Sequence, residues 1–168
     1  SAIVQALIKA LEARDFQTEG HCNRVEELLV RFAKVLNLPV HSIANLRLFA
    51  NFHDIGKVGI PDQILFKPGA LTNEEFTVMK QHSEIGYRIA ITTSDLKPIA
   101  DWILKHHEWW NGRGYPLNLR EEEIPLECRM LAIVDAFDAI TSLRPYHQPR
   151  TSAEALAELK RCAGTQFD

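Results

Sequence analysis

Cysteine is scarce in this chain of 168 residues: Cys22, Cys128 and Cys162 stand far apart, with no CxxC spacing. An odd, scattered set argues against a disulfide frame and for reduced thiols in a cytoplasmic setting. No apolar run approaches the roughly 20 residues that span a bilayer. The opening residues read as a helix rather than a secretory signal, so we expect a cytoplasmic domain without membrane contact. An excess of positive charge is missing too. The formal net charge is −3, which leaves no broad basic field for a nucleic acid polymer. Sustained apolar–polar alternation is absent, as is any internal repeat, and this removes sheets and solenoids from consideration. What remains is an ordinary globular composition, 46% hydrophobic and 24% charged, in a chain long enough for one core.

Helical spacing fills most of the sequence. Ile3, Leu7, Ile8 and Leu11 form one stripe, and Val25, Leu28, Leu29, Phe32 and Leu36 form another over 21–36. A third helix fits 41–56, with Ile43, Leu46, Ala50 and Phe52 inward. Residues 57–71 hold too much glycine and proline for a long helix. Thr72 and Glu75 have capping-box spacing and predict a helix over 73–91. Pro98 suits the first turn of the next helix, which runs into "HHE". After a Gly/Pro loop come a largely apolar helix, "PLECRMLAIVDAFDAITS", and a last one ending at Gly164. The expectation is an all-α fold, a single compact helical-bundle domain.

Histidine is the informative residue. Of seven, His41 and His147 sit in unremarkable surroundings, while His21, His53, His82, His106 and His107 stand beside Asp, Lys or Gly. In "HDIGK" the spacing puts Lys57 one turn beyond His53 and Asp54. Asp135 lies inside the apolar "LAIVDAFDAI", where an unpartnered carboxylate costs several kcal/mol and so wants a cation. Asp138 shares its face and suits a supporting role behind a ligand. Each of these alone reads more simply as a hydrogen-bonded core or surface residue. Together, five histidines and two aspartates without a thiolate suit Fe, Mn, Ni or Zn, with one carboxylate able to bridge two ions.

The ordered segments "GHCNRV", "HDIGKVGIPDQILFKPGALTNEEF", "HSEIG", "HHEWWNGRGYP", "VDAFDAITSLRPY" and "GTQFD" resemble the HD-GYP family, a branch of the HD metal-dependent phosphohydrolases. The resemblance implies a helical-bundle domain of the HD/HD-GYP type over residues 15–168. Residues 1–14 would be a helix continuing from a missing upstream sensory or receiver module, with further sequence past Asp168. It implies two divalent transition-metal ions per chain, Fe or Mn ahead of Ni or Zn. His21, His53, Asp54 and Asp135 would hold one, and the bridging Asp54 with His82, His106 and His107 the other. Lys57 and Asp54 would be catalytic, and Gly114, Tyr115, Pro116 and Arg144 would bind substrate.

The implied activity is that of a cyclic di-GMP phosphodiesterase, opening cyclic di-GMP to pGpG with metal-activated water, a product that some members of the family cleave further to GMP. Two other readings stay open: a low-activity cyclic di-GMP-binding or protein-interaction module, and a hydrolase of another cyclic dinucleotide. Expected partners are cyclic di-GMP, a diguanylate cyclase domain and a second copy of the chain. Some members carry a Glu four residues before the first His and hold a third ion. Gln17 occupies that position here, which predicts two. His147 stands where a basic residue often follows "RPY".

Overall fold

The computed structural model describes residues 6, 7, 9, 10, 20–142 and 148–168. The first predicted helix therefore lies largely outside the described residues, and Gln17, Arg144 and His147 lie wholly outside them. The described chain is helical, with isolated bridges at Asn111–Arg120 and Ala163–Phe167. In order come α1 (His21–Val35), α2 (Val40–Phe52), a 3-10 turn (Ile55–Gly59), α3 (Asp62–Leu65), α4 (Asn73–Met79) and α5 (His82–Ile91). A 3-10 turn (Lys97–Ile99), α6 (Ala100–Lys105), a third such turn (Glu121–Glu123), α7 (Leu126–Thr141) and α8 (Ser152–Arg161) complete it.

The core follows from the apolar spacing. Val25, Leu29 and Ala33 recur every fourth residue on α1 and face Leu46, Phe49 and Ala50 of α2 and Cys128, Leu131 and Val134 of α7. Each large side chain buried there contributes about 1.5–3 kcal/mol against exposure. Both buried cysteines belong to this packing, and none of the three cysteines is in a disulfide. Among the described residues no helix is long and apolar enough to cross a membrane.

Two predicted helices end early. The helix expected to reach residue 56 stops at Phe52, and "HDIGK" bends into the 3-10 turn, so Lys57 is placed by that turn. The helix expected over 73–91 is two helices. The capping box at Thr72 and Glu75 forms and starts α4, but Gln81 donates to Val78 three residues back, which tightens the chain before α5. Both breaks put a histidine at the end of a helix.

Candidate metal centre

The last four carbonyls of an α-helix have no partner within it. Three histidines use that. His53 Nδ1 bonds the Ala50 carbonyl at the end of α2 (2.9 Å), His82 Nδ1 that of Met79 at the end of α4 (2.7 Å), and His106 Nδ1 that of Ile103 in α6 (2.6 Å). A carbonyl can only accept, so each Nδ1 carries a proton, and in the neutral ring it is Nε2 that keeps the lone pair. His21 is held differently. Its Nδ1 meets Asp138 Oδ2 (2.5 Å), and Asp138 Oδ1 in turn accepts from Arg24 Nε (2.6 Å).

The four rings aim their second nitrogens inward. Nε2 of His21, His53, His82 and His106, with Asp135 Oδ1, are buried and make no hydrogen bond among the described residues. These residues form two groups of potential ligand atoms, each within 4.8 Å: His21, His53 and Asp135, and Asp54, His82, His106 and His107. Asp54 stands between them. Its Oδ2 faces His53 Nε2 (3.2 Å) and Lys57 Nζ (3.3 Å), while its Oδ1 faces His106 Nε2 (3.4 Å) and His82 Nε2 (3.6 Å). One carboxylate thus turns an oxygen to each group.

Buried lone pairs left unpaired at this density are costly unless a cation takes them. The electrostatics agree. Burial works against charge on His21, yet Asp135 and Asp138 carry its pKa up to about 9. The gap between His21 Nε2 and Asp135 Oδ1, 3.1 Å wide, therefore favours positive charge. Burial likewise opposes ionisation of Asp54, but His53 and Lys57 hold its carboxyl well below the usual range. On the other side burial, with His106 beside it, lowers His82 to about 4, and burial lowers His107 strongly. Both rings are neutral at physiological pH, the form that ligates a metal. The donor set fits divalent transition metals: imidazole and carboxylate, without thiolate.

The loop that follows His107 is built around Glu108, a residue whose role the sequence did not signal. Glu108 is only 4% exposed, and its carboxylate accepts the backbone N–H groups of Leu117 (2.7 Å) and Leu119 (2.8 Å). Asn118 ties back to the Gly114 carbonyl (2.7 Å), and Tyr115 N–H donates to the His107 carbonyl (3.2 Å). Gly114 has to be glycine, because a Cβ there would lie 2.4 Å from that same carbonyl and 2.3 Å from Trp109 N. Tyr115 consequently stacks on His107, centroids 4.9 Å apart and planes at 18°, with a cis bond to Pro116. Burial and Asp54 push its phenol pKa up, so the O–H stays intact. The loop's own tryptophans are not in the core cluster. Trp102 packs there against Phe49, and Trp110 lies under Arg129.

A model of the HD domain family matches residues 5–168. The chain belongs to that family of metal-dependent phosphohydrolases, and within it to the HD-GYP branch whose motifs it carries. It is 42% identical over 167 residues to a cyclic di-GMP phosphodiesterase of Thermotoga maritima, covering 98% of this chain and 45% of that protein. To 3′3′-cGAMP-specific phosphodiesterase 2 of Vibrio cholerae it is 37% identical, over 99% of this chain and 32% of that protein. The chain thus spans less than half the length of these relatives. A crystal structure of a cyclic GMP-AMP-specific phosphodiesterase of V. cholerae shares the fold, with a TM-score of 0.70 and 21% identity over 96% of this chain and 45% of that one.

Proposed function

We propose that this chain is the catalytic domain of a phosphodiesterase that hydrolyses cyclic di-GMP with two divalent metal ions. The observation that carries the reading is the set of five buried, unpaired ligand atoms gathered on either side of Asp54. His21, His53, Asp54 and Asp135 would hold one ion and Asp54, His82, His106 and His107 the other, with iron or manganese put first by the family resemblance and nickel or zinc also compatible with the donors. Ions so placed lower the pKa of water and counter charge on phosphoryl oxygens.

The chain's own groups do the rest. Lys57 Nζ, 3.3 Å from Asp54, stands where it can neutralise charge developing on a phosphoryl oxygen. Asp54 keeps that ammonium in place and remains a carboxylate throughout. Gly114, Tyr115 and Pro116 form a wall against the His82–His106–His107 side, and Tyr115 Oη keeps its proton as a donor to substrate oxygen. Arg144 is a further phosphate contact in this reading, by resemblance alone.

Asp54→Ala tests it: bound metal and cyclic di-GMP turnover should both disappear while the helical circular dichroism persists. Turnover at the wild-type rate in that variant would refute the mechanism. The V. cholerae relative at 37% identity, specific for 3′3′-cGAMP by its name, supports a second substrate. Parallel assays of the two cyclic dinucleotides decide between them.

A further inference from the structure

Between the loop wall and solvent lies a small cluster that the metal chemistry does not use. Helix α4 buries none of its residues, yet it is firmly anchored, by its capping box and by Glu75 bonding Lys67. It carries Phe76 with 45% of its surface exposed. The Phe76 ring meets Tyr115 edge-on, centroids 6.1 Å apart and planes at 86°. Tyr115 is in turn stacked on His107, so Phe76 stands one ring away from the ligand cluster. Lys80, four residues after Phe76 and therefore on the same side, holds its ammonium 5.1 Å from the Phe76 centroid and 5.8 Å from that of Tyr115. That ammonium meets no carboxylate among the described residues.

Surface packing alone would account for a cation over a ring. It does not account for an exposed phenylalanine on a helix with no buried residue, set beside a phosphodiester site with an unpaired ammonium above it. Resting on the phosphodiesterase reading above, we propose that Phe76 and Lys80, with Tyr115, form a guanine subsite that sets base preference. The base would lie against the Phe76 ring while Lys80 Nζ donates to its O6 and N7. Guanine offers two acceptors along that edge. Adenine offers N7 but replaces O6 with an amino donor, which turns an N–H toward the ammonium.

The test is an equilibrium titration of Mn2+-loaded protein with hydrolysis-resistant phosphorothioate analogues of cyclic di-GMP and, separately, of cyclic di-AMP, on wild type, Lys80→Gln and Phe76→Ala. Metal content and cyclic di-GMP turnover are measured on the same samples. Lys80→Gln should weaken cyclic di-GMP about tenfold and leave cyclic di-AMP nearly unchanged, which collapses the preference for guanine. Phe76→Ala should weaken both about tenfold, because stacking does not distinguish the bases. An equal loss of both ligands in Lys80→Gln would make Lys80 a phosphate contact and overturn the proposal. So would wild-type binding in both variants, or no guanine preference in the wild type. If wild-type protein turns over cyclic di-GMP while the variants bind as it does, the subsite alone fails. If the metal-loaded wild type neither binds nor hydrolyses cyclic di-GMP, the phosphodiesterase reading fails and the subsite falls with it.

Discussion

Asp138→Asn isolates the support of one metal position from the other. Asp138 is buried, and both of its oxygens accept hydrogen bonds. Oδ2 accepts from His21 Nδ1 (2.5 Å) and Arg24 Nη2 (3.3 Å), and Oδ1 from Arg24 Nε (2.6 Å) and Ser142 Oγ (3.1 Å). An asparagine of the same shape turns one of those oxygens into an amino group, which must then face an N–H of His21 or Arg24. Losing one charge-assisted bond costs about 1.5–3 kcal/mol, and the stranded donor adds to that. Destabilisation of about 2–3 kcal/mol is therefore expected in urea unfolding of the metal-free protein.

The effect on metal should be larger and one-sided. Removing the carboxylate behind a ligating histidine lowers affinity about 10–100-fold. Only the His21–His53–Asp135 group depends on Asp138; His82 and His106 are held by backbone carbonyls. A Mn2+ titration against a competing chelator should thus show one binding step moved and the other kept. Two unmoved steps, or two that weaken together, would refute this division of labour.

Gly56→Ala would set a methyl 1.8 Å from the His82 carbonyl oxygen and 2.6 Å from Gly86 N, both backbone atoms that no rotamer can move. The 3-10 turn and α5 must then separate, at a cost of about 1–3 kcal/mol or more. Urea unfolding and metal stoichiometry should both fall, and unchanged values would show that the close approach is dispensable. Phe49→Ala removes a fully buried ring that touches Trp102, His53 and His106, so a loss of about 3–5 kcal/mol in stability is expected, read from the urea midpoint. Glu75 has its pKa lowered to about 2, chiefly by Lys67. A depressed carboxyl stabilises the fold above its unfolded pKa and stops doing so as pH falls through the folded one. An NMR titration should place the Glu75 midpoint well below that of a free glutamate, and Lys67→Ala should raise it.

Much of the helical pattern was readable because α1 and α7 bury one face at helical spacing, and because Thr72 and Glu75 mark a start that needs no tertiary help. The break at Lys80–Gln81 carries no glycine or proline, so nothing local announces it. It exists because α5 must pack against the turn at Gly56 and because the His82 ring takes the Met79 carbonyl, both long-range or side-chain facts. The gathering of His21, His53, Asp54, His82, His106, His107 and Asp135 could be anticipated from an ordered string of motifs, though not from any one of them. How Asp54 divides its oxygens between the two groups could not. Glu108 looked like an ordinary acid next to two histidines, and only the closed loop reveals its two backbone partners. Nothing in the sequence singles out Phe76 and Lys80; only the fold places Tyr115 beside them.

The two ways of holding a histidine have unequal mutational consequences. His53, His82 and His106 are oriented by main-chain oxygens, and every amino acid supplies such an oxygen. No change at Ala50, Met79 or Ile103 that preserves the helix can delete the clamp. His21 relies on a side chain more than a hundred positions away, which a single codon can replace. If the centre holds two ions as proposed, genetic drift would erode the His21 end first and leave a single-ion protein with the Tyr115 wall still in place. A hydrolase of this design thus has a short route to becoming a receptor.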